Sequence, residues 1–277
     1  MIKDIVVSLS VDRPKDVAAD YAVSLAEAFD AHLVAIAFVY EPVVPLVEFG
    51  PVPSTFLDDV RAENQRSAKA AVERFENAAI RHEGISAASH IFDATVVGGS
   101  EQFASIARRF DISVVPQAEP DKSGVEELIT EAALFGAGRP VIVVPYIQKE
   151  GLKLDHVLVC WDGSRAAARA VADALPLLTR AGKVEVIIVS SEATKSDDIP
   201  GADLGEHLAR HGLDVEIKQL VAPDNDVAST ILSYAADFSA DFMVMGGYGH
   251  SRLKEFILGG VTRSILDAMT VPVLMSH

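Results

Sequence analysis

Four glycines near the end of the chain carry its strongest chemical signal. They are spaced Gly246-x2-Gly249-x9-Gly259-Gly260 and are followed by Val261 and Thr262. Glycine has no Cβ, so phosphate oxygens can come close to backbone amides. A helix starting near Gly260 would add unpaired amides and the positive end of its dipole. Thr262 would place a hydroxyl in the first turn. His250, Arg252, Lys254 and Arg263 are positive or protonatable, in a chain whose formal net charge is -16. Together these are the parts of a phosphate cradle. The competing reading is a tight crossover turn that binds nothing. Neither common nucleotide pattern is present, because there is no GxxxxGK(S/T) loop and a GxGxxG turn would follow the first strand of a unit.

Other reactive residues have plainer readings beside functional ones. Asp162 ends a strand just before Gly163 and Ser164, which suits a helix start signal as well as a ligand contact. Cys160 reads as a buried strand cysteine, since no local histidine could activate it. Trp161 could stack on a base or pack at the sheet. His207 and His211 are four apart on a helical stretch, but no third metal ligand is near, so a solvated face is expected.

These residues must be held by repeating elements. Short β-branched runs alternate with helical patterns in the order βαβαβαβαβ, and the second half repeats that order. The runs include "DIVVSLS", "AHLVAIAFVY", "ISAASHIFD", "ISVVP" and "PVIVVPY" in the first half. Helices are expected over 14–30 and 55–81, and in "SEQFASIARRF" and "VEELITEAALF". Three stretches match between halves: Asp4 onward with Asp155 onward, Phe110 onward with Ala240 onward, and Arg139 onward with Val271 onward. The fold class expected is α/β, as two tandem domains, 1–147 and 153–277. Each is an open five-stranded parallel sheet with helices on both faces, Rossmann-like. The polar segment 146–154 is the join.

The second half resembles the universal stress protein family. The resemblance rests on the glycine spacing, on the opening strand "VLVCWDGSRAAARAV" and on the closing strand "VPVLM". The first half resembles the same fold without the signature, so the chain resembles a tandem universal stress protein with an adenine nucleotide alpha hydrolase-like fold. That resemblance implies an adenosine contact from Asp162 and a base pocket lined by Val189. It also implies phosphate contacts from Gly246, Gly249, Gly259, Gly260, Val261 and Thr262, with His250 and Arg252 beside them. The implied ligand is ATP, or AMP or ADP, with Mg2+ as an accompanying ion. Family members pair through their last strands. Here "PVIVVPY" and "VPVLM" are expected to pair within one chain as a pseudo-dimer, and a homodimer is a further partner the resemblance allows.

The sequence departs from the family pattern at Gly260, where a Ser or Thr is expected after the third motif glycine. One hydroxyl contact is lost and the amide remains. The first half departs further. Val11 stands where Asp162 is expected, and "PQAEPDKSG" replaces the glycines with two prolines and the carboxylates of Glu119 and Asp121. No nucleotide is expected there.

Composition sets the outer bounds. A charge of -16 over 277 residues disfavours general affinity for nucleic acid or anionic membrane. The most apolar stretch, "HLVAIAFVYEPVVPLVEF", is interrupted by Glu41, Pro42 and Pro45 and predicts no membrane span. "MIKDIVVSLS" enters a strand pattern without a basic leader, so no signal peptide is expected. With Cys160 as the single cysteine, a reducing cytoplasm fits. The leading expectation is a nucleotide-binding stress-response regulatory protein. The alternatives are a slow ATPase or phosphotransferase, and a ligand-free scaffold. No catalytic residue and no resident metal site are assigned, because Asp162 is the only evident carboxylate near the glycines.

Overall fold

The computed structural model describes residues 1–42, 54–82, 84–119, 124–190, 201–222, 226–247 and 260–277. The first half runs β1 (Asp4–Ser8), α1 (Val17–Phe29), β2 (His32–Tyr40), α2 (Ser54–Ile80), β3 (Ala87–Ala94), α3 (Val96–Ala107), β4 (Ile112–Pro116), α4 (Val125–Gly136) and β5 (Val141–Val144). The second runs β6 (His156–Cys160), α5 (Arg165–Leu178), β7 (Lys183–Ser190), α6 (Ala202–Arg210), β8 (Val215–Val221), α7 (Val227–Asp237), β9 (Phe242–Gly246), α8 (Gly260–Ala268) and β10 (Val273–Ser276). No helix among the described residues is long and apolar enough to cross a membrane.

The strands form one sheet in the order β3-β2-β1-β4-β5-β10-β9-β6-β7-β8. Each half therefore contributes its strands in the order 3-2-1-4-5, and all pairs within a half are parallel. The two last strands meet antiparallel, Val273 opposite Val143 and Met275 opposite Val141.

Burial on both faces explains the near-continuous apolar strands. Alternate residues feed opposite layers. Ile5 and Val7 pack with Leu25 and Phe75, while Val6 packs with Phe103 and Ile129. Val157 and Val159 likewise face the layer holding Leu177, and Leu158 faces Ile231 and Ile265. Both layers continue across the central seam, through Ile142 and Leu274 on one face and Val143 and Val273 on the other.

Caps set the helix starts. Asp16, Thr95, Ser164 and Asp226 each accept the amide of the residue three further on. The Thr95 cap makes α3 begin at Val96, a turn earlier than "SEQFASIARRF" suggests, so Gly98 and Gly99 lie inside the helix.

The structure corrects the alignment of the opening strands by one residue. Ile5 pairs with Ile112, and Val157 pairs with Phe242. Asp111 Oδ2 accepts the amides of Lys3 and Asp4, and Asp241 Oδ2 accepts those of Asp155 and His156. Asp4 thus corresponds to His156 rather than to Asp155. A one-residue slip would turn every side chain to the other face, so the core layers enforce this register.

Candidate functional site

In an open parallel sheet, ligands bind beyond the carboxyl ends of the strands where the strand order reverses. In the second half that point lies between β6 and β9, which are paired with Cys160 opposite Met245. Asp162 follows β6 and Gly246 ends β9, so the fold brings these two together although they are far apart in sequence.

Asp162 is exposed, and its Oδ1 accepts the Ser164 amide at 2.9 Å. Ser164 in turn caps α5 by accepting the Ala167 amide at 3.1 Å. One carboxylate oxygen thus shapes the turn, and both readings of Asp162 are compatible. Val189 is half-buried near the end of β7, opposite Leu220 of the edge strand β8.

Gly246 is glycine for a reason the spacing alone did not suggest. A Cβ there would overlap the Ala167 backbone nitrogen and lie 2.7 Å from the Ala166 carbonyl carbon. The first turn of α5 therefore rests directly on the end of β9. A Cβ on Gly247 would come within 2.9 Å of Leu134 Cδ2, from α4 of the other half. Gly260, at the start of α8, has nothing within 4 Å of its Cβ position. Gly260 and Val261 are exposed, whereas Thr262 is buried. Gly249, His250, Arg252, Lys254 and Gly259 lie outside the described residues.

The Cys160 thiol beside the site is not activated. Burial within the sheet pushes the Cys160 thiol up to about 12, and the nearby Asp162 charge adds to this. A protonated thiol is a poor nucleophile. Trp161 is half-buried against the core layer under α5. His207 and His211 meet edge to face at 4.8 Å, and no group of three or more potential metal ligands occurs among the described residues.

The equivalent crevice in the first half is filled by its own side chains. The corrected register puts Ser10, not Val11, at the position of Asp162, and Ser10 is buried. Arg13, only 7% exposed, reaches Glu119 at 3.0 Å and Glu126 at 3.3 Å. The space left between Ser10, Tyr40, Pro116 and Glu126 is about 40 Å³, against roughly 300–1,000 Å³ for typical small-molecule sites. Burial and the Glu126 charge also hold the Tyr40 phenol protonated well above its usual range. Sequence reasoning missed Arg13. The only local hint was an arginine in the turn after β1, and its carboxylate partners are remote in the chain.

Residues 153–277 match the universal stress protein family. A curated universal stress protein of Synechocystis sp. is 28% identical over 139 residues, which is 49% of this chain and 46% of that protein. The match thus spans less than half of the curated relative's length. A crystal structure of a universal stress protein from Archaeoglobus fulgidus shares the fold at a TM-score of 0.68 and 17% identity, covering 98% of this chain and 95% of that one. A functionally unknown protein from Pseudomonas aeruginosa shares it at a TM-score of 0.58 and 16% identity, covering 99% of this chain and 92% of that one.

Proposed function

We propose that the second half, residues 153–277, binds ATP or a related adenine nucleotide beyond the ends of β6 and β9, and that the protein acts as a cytoplasmic stress-response regulator. The observation that carries this reading is the placement of Asp162 after β6 and of Gly246 at the end of β9, on paired strands at the strand-order reversal of a domain matching the universal stress protein family. In this reading Asp162 contacts the adenosine part, and Val189 lines the base pocket. The amides of the glycine segment and of Gly260, Val261 and Thr262 hold the phosphates. Mg2+ accompanies the phosphates.

The first half, residues 1–147, is the degenerate partner in this reading. The Arg13–Glu119–Glu126 cluster and the small residual cavity support its lack of a nucleotide. The antiparallel pairing of β5 with β10 supports reading the chain as an internal pseudo-dimer of two like domains. Nucleotide bound at α8 would then alter a surface read by partners.

The test is a thermal melt of the full chain with millimolar ATP and Mg2+, together with mass analysis of nucleotide released on denaturation. Binding to the folded state must raise the melting temperature. A concentration-dependent rise that Asp162→Ala diminishes is expected. An unchanged melting temperature and no co-purified nucleotide would leave the scaffold reading in its place.

A further inference from the structure

The two halves exchange contacts at their last helices. Gln117 directly follows β4 and reaches the last turn of α8 through the carbonyls of Leu266 and Asp267. Gly247 directly follows β9 and meets Leu134, in the last turn of α4. Leu134 and Leu266 stand at the same place before their last strands. The residue after each fourth strand therefore rests on the last helix of the other half.

Gly247 is held on three sides. Its amide donates to the Ser276 carbonyl at 2.8 Å. Leu134 Cδ2 and Cδ1 lie 2.9 and 3.2 Å from where its Cβ would stand, so α4 closes over the bare Cα. Its carbonyl lies 3.1 Å from His277 Nδ1. A carbonyl can only accept, so Nδ1 carries the proton in this bond. The His277 ring in turn meets Phe135 of α4 edge to face, with centroids 5.0 Å apart and planes at 78°. Leu134 is 3% exposed and serves the core, whereas Phe135 is 46% exposed and serves the rim. A line of contacts thus runs from the first half, through Phe135 and His277, to the peptide just beyond Gly246. Backbone amides hold phosphate only as well as they are placed, and a shift of about 1 Å weakens such a site.

We propose that Phe135 and His277 are positioning residues for the phosphate end of the nucleotide site, acting through the Gly247 peptide. The first half, without a nucleotide of its own, then helps to set nucleotide affinity in the second. That role rests on the nucleotide reading above.

The test is calorimetric titration of the full chain with ATP and Mg2+, and separately with adenosine, which has no phosphate. Phe135→Leu removes the ring and His277→Ala removes the donor. Each should weaken ATP binding about fivefold to tenfold and leave adenosine within about twofold. Phe135→Tyr, which keeps the ring, should recover most of the ATP affinity. Ligand-free melting temperatures should stay close to that of the unaltered chain, since both side chains are exposed. An equal fall for ATP and adenosine, or an unchanged ATP affinity in either variant, would overturn the positioning role alone. No ATP binding by the unaltered chain would overturn the nucleotide reading and the positioning role with it.

Discussion

Gln117 and Gly247 hold the same position in the two halves. The Gln117 amide donates to the Val144 carbonyl and the Gly247 amide to the Ser276 carbonyl, both at 2.8 Å. They differ in what lies beyond the backbone. The Gln117 side chain is buried and donates from Nε2 to the carbonyls of Leu266 at 2.7 Å and Asp267 at 3.3 Å, in the last turn of α8. Its Oε1 accepts the Tyr146 amide at 3.2 Å. The closed crevice of the first half is thereby tied to the helix that starts at Gly260. Gln117→Ala should lower stability by about 1–3 kcal/mol, since it leaves buried backbone groups without partners. Urea unfolding would show this as a lower midpoint at unchanged slope, and an unchanged midpoint would count against the bridge.

The glycines of the candidate site should divide sharply under substitution. Gly246→Ala forces a Cβ into the α5 backbone, which cannot yield as a flexible side chain could. A loss of about 3 kcal/mol or more, or failure to fold, is expected. Gly260→Ser meets open space and should leave stability within about 0.5 kcal/mol or raise it slightly. If the nucleotide reading holds, the added hydroxyl should strengthen ATP binding several-fold to about tenfold by calorimetric titration. Equal melting temperatures for the two variants would contradict the packing assigned to Gly246.

Arg13 fills the crevice of the first half, ion-paired with Glu119 and Glu126. Arg13→Met removes the guanidinium from between Glu119 and Glu126 and should cost about 2–4 kcal/mol in chemical denaturation, somewhat less than a fully buried pair because the two carboxylates keep some exposure. The variant should still bind no ATP in this half, because carboxylates remain where phosphate would sit. ATP binding at two sites per chain in Arg13→Met would refute that.

The pH dependence of Cys160 can be given a sign. The folded thiol titrates at about 12, against 9.0 for an unperturbed cysteine. Below about pH 9 both folded and unfolded chains keep the proton, and no stability difference arises. From pH 9 towards 12 the unfolded chain loses its proton while the folded chain retains it, so this group lowers stability as pH rises through that window. Cys160→Ala should remove that part of the alkaline loss. Iodoacetamide at pH 8 should alkylate the native chain far more slowly than the chain in urea, and equal rates would rule out the raised pKa.

Much of the architecture is legible in the chain itself. Continuous β-branched runs mark strands buried on two faces, and helical periodicities mark the helices between them. The glycines around Gly246 and Gly260 are local signals, as is the Asp-Gly-Ser turn at Asp162. The sequence comparison of the halves slipped by one residue at the first strands, because the two aspartates Asp4 and Asp155 looked alike. The strand pairing and the backbone amides that Asp111 and Asp241 accept reveal the register.

By itself, the sequence determined the order and type of the elements and marked the glycines around Gly246 and Gly260, since these follow from side-chain period and from residues with special backbone freedom. Tertiary structure decided the rest. It set the residue register of the antiparallel seam between β5 and β10, whose pairing the family resemblance already implied, the demand of α5 for a bare Gly246, and the filling of the first crevice by Arg13. Each of these depends on atoms that meet through space from distant parts of the chain, and close packing between them leaves no local trace in residue order.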